Sequence, residues 1–134
     1  MSSAIWMRVS ALLVVIIGIT MFANSVLNLE ISGGAKTALS VVHLLAAVAL
    51  VALFEISIGR KRRATGAPSS TLGLVGRILI TVALALGLYI LIGKALGFVD
   101  SGSYKALIRI HAPIGLISIG LAEAALGAIG KKNR

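Results

Sequence analysis

The chain has 134 residues, 58% of them hydrophobic and only 13% charged, and its mean hydropathy is +1.05. So little polar material could not cover the surface of a soluble domain of this size, so a membrane setting is expected. There is no cysteine, which excludes disulfides, thiolate metal sites and thiol catalysis. The net charge of +9 gathers at the edges of apolar runs, and this points to anionic lipid headgroups rather than nucleic acid.

The first apolar run, from about Ile5 to Leu27, is long enough to cross a hydrocarbon core of roughly 30 Å at about 1.5 Å per residue. It is too long for the apolar region of a signal peptide, and a counterpart from Gly76 to Phe98 recurs in mid-chain. A polar turn from Asn28 to Ala35 follows, with Gly33-Gly34 read as a chain reversal. The second run goes from about Lys36 to Gly59 and carries His43 and Glu55. Arg60 to Ser70 is basic, then small and proline-containing, and reads as a linker, with Ser70 or Thr71 as a cap for the next helix. The third run spans about Leu72 to Phe98, with Lys94 near its end. Val99-Asp100-Ser101-Gly102 reads as a second tight turn, and the fourth run spans about Ser103 to Ile129, carrying His111 and Glu123.

The halves repeat one another. A slide of 68 residues lays His43 on His111, Ala38 on Ala106, Leu39 on Leu107, Glu55 on Glu123 and Gly59 on Gly127. A slide of 69 lays Arg8 on Arg77 and Gly18 on Gly87, so the outer loops of the copies differ by one residue. A duplicated helical hairpin is expected, with repeats over 1–63 and 71–134 in one four-helix domain. With short connections, the simplest packing is an all-α membrane bundle running up-down-up-down.

Orientation follows from the basic residues. Arg8, Arg60, Lys61, Arg62, Arg63, Arg77, Lys131, Lys132 and Arg134 fall on one side, against Lys36, Lys94, Lys105 and Arg109 on the other. Cationic residues concentrate on the cytoplasmic side, so both termini and the linker are expected in the cytoplasm and the protein in the cell membrane.

His43 and His111 are the only histidines, placed at one depth on the second and fourth helices, which are diagonal partners in such a bundle. Ionisable residues inside a membrane are costly and usually functional. Zinc needs at least three protein ligands, and no Asp, Glu or Cys lies near enough in sequence to complete such a set. Haem iron needs only axial ligands, so two facing imidazoles suit a b-type haem. Ala46 and Ala47 follow His43 by three and four residues, and Gly115 follows His111 by four. Small residues there leave room for a flat macrocycle, or simply allow close helix packing. Pro113 removes a backbone hydrogen bond near His111 and is expected to bend its helix. Arg109, Lys94, Lys36 and Lys105 lie towards the outer face, as partners for haem propionates or as side chains reaching for headgroups. Each second ring nitrogen is expected to donate to a backbone carbonyl or a hydroxyl, with Ser40 and Ser118 as candidates.

Glu55 and Glu123 each follow their histidine by 12 residues, roughly 18 Å along the helix and about 120° round it. They are expected to pair with Arg8 or Arg77, between odd and even helices, one set per repeat.

With these residues the chain resembles the four-helix membrane cytochromes b whose second and fourth helices each supply a histidine. It is also similar to one half of heme A synthase, although that pattern has a glutamate three residues before the second-helix histidine, where this chain has Ser40, with Ile108 as its repeat mate. The resemblance implies the fold and the two histidine ligands; the function expected first is a single-haem electron-transfer subunit of a respiratory or quinol-handling complex, with other subunits of that complex and a quinone or an extracytoplasmic redox protein as candidate partners. A half-size synthase-like enzyme and a non-redox assembly subunit are the alternatives.

Overall fold

In lipid every backbone N–H and C=O must find its partner within the protein, and uninterrupted helices achieve this segment by segment. The computed structural model describes residues 3–27, 31–66 and 71–131. They form α1 (Ser3–Leu27), α2 (Gly33–Thr65), α3 (Thr71–Ala95) and α4 (Ser101–Lys131). All four are long and apolar enough to cross a membrane. Large side chains such as Leu12, Ile16, Leu45, Ile78 and Ile117 face outward, as a lipid-bathed bundle requires.

Helix ends depart from the sequence-based boundaries in three places. Gly33 and Gly34 do not reverse the chain; they form the first turn of α2. Ser32 caps that helix, its hydroxyl accepting from the Ala35 N–H at 3.3 Å. Arg60 to Arg63 are not linker but the last turns of α2, which ends at Gly66 (φ 62°), whose N–H bonds the Arg62 carbonyl at 2.9 Å. Arginine and lysine propagate a helix well, so it continues until a glycine adopts the left-handed conformation. Ser101 and Gly102 likewise open α4 rather than belonging to the turn. Asp100 caps it, its Oδ1 accepting from the N–H groups of Gly102 and Ser103 at 2.8 Å each. The turn itself runs through Gly97 (φ 80°), and Phe98 and Val99 fold back onto Gly93, where any side chain would collide with them. Thr71 is the first residue of α3, and Ser70 lies outside the described residues.

Each helix packs most closely against its hairpin partner, α1 on α2 and α3 on α4. The hairpins then join through α2–α3 and α1–α4, which is the up-down-up-down order. Among the described residues α2 and α4 touch across the bundle, whereas α1 and α3 do not. Gly76 lets α3 settle on the backbone of Leu121 and Ala122, where an added Cβ would lie 3.6 Å from each. In the first repeat the position 69 residues earlier is Met7, buried at 2% exposure, so a side chain fills what close helix contact fills in the second. Met7, Ala11, Leu50, Phe54, Ile58, Ile80 and Ala122 form the solid core. All lie in the half of the bundle nearer the α2–α3 linker. Because lipid is as apolar as leucine, this cluster holds through dispersion and close fit rather than escape from water.

Candidate functional site

His43 lies ten residues past the start of α2 and His111 ten past the start of α4 (43 − 33 and 111 − 101). Equal offsets on parallel helices set both rings at one depth, in the half of the bundle away from the hydrophobic core. They face each other there, with ring centroids 6.2 Å apart and planes at 75°.

Each ring leans on a glycine of its hairpin partner. A Cβ at Gly18 of α1 would lie 3.2 Å from His43 Cε1, and one at Gly87 of α3 would lie 3.2 Å from His111 Cε1. An alanine in either place would press on the ring. Gly18 and Gly87 stood out in the sequence only as a matched pair; that they make room for the imidazoles depends on how odd and even helices pack.

Among the described residues three buried polar side-chain atoms have no hydrogen-bond partner: His43 Nδ1, His111 Nδ1 and Asn24 Oδ1. All three lie in the histidine half. The expected serine acceptors are engaged elsewhere. The Ser40 hydroxyl donates to the Lys36 carbonyl at 2.9 Å, and that of Ser118 to the Gly115 carbonyl at 2.8 Å. A hydroxyl in a helix reaches its own preceding turn more readily than a ring on the same helix.

The structure sorts the remaining candidates. Ala46 is buried, and Ala47 and Gly115 are half-buried, on the same helix faces as their histidines. An added Cβ at Gly115 would meet nothing within 4 Å, so there is open space beside it. Arg109 is not brought to the rings. It precedes His111 by two residues, about 200° round the helix, and is exposed. Lys94 is also exposed, and its ammonium sits 4.2 Å from the centre of the Tyr104 ring, a cation–π contact. Pro113 is accommodated within a continuous α4.

Two histidines are brought together here, which is the donor set a haem would need. The centroids of His43 and His111 lie 6.2 Å apart, so the two imidazoles would hold one haem iron between them if their ring nitrogens turn towards each other. A zinc-type cluster is not assembled: no group of three His, Cys, Asp or Glu comes together among the described residues.

The glutamates lie at the other end. Arg77 Nε donates to Glu55 Oε1 at 2.6 Å, and Arg8 Nε lies 3.5 Å from Glu123 Oε1. Both pairs join an odd helix to an even one, as expected. Each, however, takes its arginine from one repeat and its glutamate from the other, so they tie hairpin to hairpin.

Comparison with known protein families, curated proteins and solved structures found no match for this chain.

Proposed function

We propose that the chain is a membrane cytochrome b subunit in which His43 and His111 hold one haem b, and that it transfers electrons within a larger membrane complex. The observation that carries this reading is the pair of imidazoles facing each other at 6.2 Å from diagonal helices. Haem bound by two histidines supplies one-electron redox chemistry without an open position for substrate. The residues divide the remaining work. His43 and His111 would hold the haem iron, and Ala47 and Gly115 keep their helix faces low beside the rings. The solid core of Phe54, Met7 and their neighbours shuts the linker end, leaving the redox centre nearer the opposite face. With both termini in the cytoplasm, as the distribution of basic residues supports, that face is the outer one. An extracytoplasmic redox protein or a quinone in the outer leaflet is then the nearest class of electron partner.

The test is the visible spectrum of protein purified from its native membrane, oxidised and dithionite-reduced, with haem counted per chain. A low-spin, six-coordinate spectrum with one haem per chain is expected. It should be lost when either histidine is replaced by alanine, while all four helices still insert, because insertion follows hydrophobicity. A wild type without haem, or single variants with an unchanged spectrum, would overturn the reading in favour of an assembly subunit.

A further inference from the structure

Arg109 is exposed on the side of α4 away from the histidine pair, yet it lies well inside the helix. It is eight residues past Ser101 (109 − 101), or about 12 Å along α4. The neighbouring antiparallel helix fixes its depth. Gly87 of α3 packs on the His111 ring. Tyr89 follows Gly87 by two residues and Arg109 precedes His111 by two, so Tyr89 and Arg109 are level. Tyr89 is 51% exposed, and exposed tyrosines of membrane helices gather at the headgroup layer. Lys105 is exposed one turn nearer the end of the bundle, on the same side of α4. Among the described residues neither cation makes an ion pair. Glu55 and Glu123 are paired at the other end, and Asp100 is taken up by the cap of α4.

The duplication supplies a control. The residues 68 positions earlier are Thr37 and Val41, both exposed on α2 at the same depth. The fold thus carries uncharged residues on the equivalent face, so packing does not require the cations. An arginine that faces lipid is costly unless something answers its charge.

We propose that Arg109 and Lys105 form a binding site for the headgroup phosphate of one anionic phospholipid on the outward face of α4. Both side chains can extend along the helix towards the headgroups. A phosphodiester offers acceptor oxygens that a guanidinium takes two at a time, with the ammonium one turn above. Two cations one turn apart suit such a group better than the single carboxylate of a neighbouring helix. The site needs no haem and does not rest on the cytochrome reading.

The test uses the full chain in detergent micelles holding equal amounts of phosphatidylglycerol and phosphatidylcholine. Native mass spectrometry counts the lipids each chain retains. One phosphatidylglycerol per chain is expected, in preference to phosphatidylcholine. Arg109→Leu and Lys105→Leu should each weaken its retention about five-fold, the worth of one cation at a membrane surface. Arg109→Lys keeps the charge without the two-pronged geometry and should fall between Arg109→Leu and the wild type. Lys36→Leu removes an exposed cation from α2 at the same end and should change nothing. Leucine suits a lipid-facing position, so these variants should insert as the wild type does. Equal retention of the two lipids by the wild type, or an equal loss in Lys36→Leu, would reduce the cations to general attraction and overturn the site. Protein from native membranes that carries no anionic lipid, but loses a bound subunit in Arg109→Leu, would overturn it in favour of an acidic helix of a partner chain.

Discussion

Two kinds of side chain in this molecule hold unusual positions, and they do so for opposite reasons. His43 and His111 are polar groups turned inward in the half of the bundle away from the hydrophobic core, and each is left with a buried, unpaired Nδ1. Asp100 is a charge on the surface with every advantage of a cap. The Ser103 N–H, the Ser103 hydroxyl and the Gly102 N–H all donate to its carboxylate, which holds its pKa below the ordinary 3.8. The sign follows from linkage: the cap's stabilisation is complete above the ordinary carboxylate value and is lost as pH falls through the lowered one. Hydrogen exchange at the Gly102 and Ser103 amides should therefore stay protected at neutral pH and open on acidification. In Asp100→Asn, which still offers an acceptor but cannot titrate, protection should be largely kept and independent of acid. In Asp100→Ala it should be low at every pH. Equal acid sensitivity in the Asn variant would show that the carboxylate is not responsible.

At the scale of single elements, α2 is the longest helix. Its 33 residues extend about 50 Å, against a hydrocarbon core of roughly 30 Å. Its C-terminal end carries Arg60, Arg62 and Arg63, all exposed. Basic side chains there suit both the negative end of the helix dipole and anionic headgroups. This gives an orientation test free of background, because the chain has no cysteine of its own. A cysteine placed at Ser101, at the exposed start of α4, should react with a membrane-impermeant reagent in intact cells. One placed at Ser69 should react only after permeabilisation. The reverse pattern would invert the protein in the membrane and put the histidines near the cytoplasmic face.

The whole molecule is held by two hairpins that meet through smaller interfaces and by the two crossed ion pairs. These pairs are partly exposed: the side chains of Arg77 and Glu55 are 40% and 41% exposed, and those of Arg8 and Glu123 71% and 37%. Where headgroup water reaches them, such pairs contribute up to about 1 kcal/mol. The shorter, hydrogen-bonded Arg77–Glu55 pair should show the larger coupling. In a double-mutant cycle with Arg77→Ala and Glu55→Gln, followed by unfolding in mixed detergent, we expect roughly 0.5–1 kcal/mol. The Arg8–Glu123 cycle should give less. Neither should alter a haem spectrum, because the pairs and the histidines lie in opposite halves. Coupling of Arg77 to Glu123 instead of Glu55 would mean that the pairs form within repeats after all.

Much of this architecture was already present in the one-dimensional pattern. Four apolar runs of membrane-crossing length determine four helices, since lipid allows the backbone few other forms. The 68-residue echo of His43 in His111 determines equal depth, because rise per residue is constant along a helix. Charge pattern alone was also enough to expect that arginines and glutamates pair between odd and even helices. Tertiary structure decided what depends on distance between helices. It separated Arg109, two residues from His111 but on the other side of α4, from the histidine pair. It turned Lys94 onto Tyr104. It crossed the ion pairs between repeats, because each arginine meets the glutamate of the helix beside it in space. It also gave Gly18 and Gly87 their place, since the absence of a side chain carries no sign of what fills the space until the neighbouring helix is set against it.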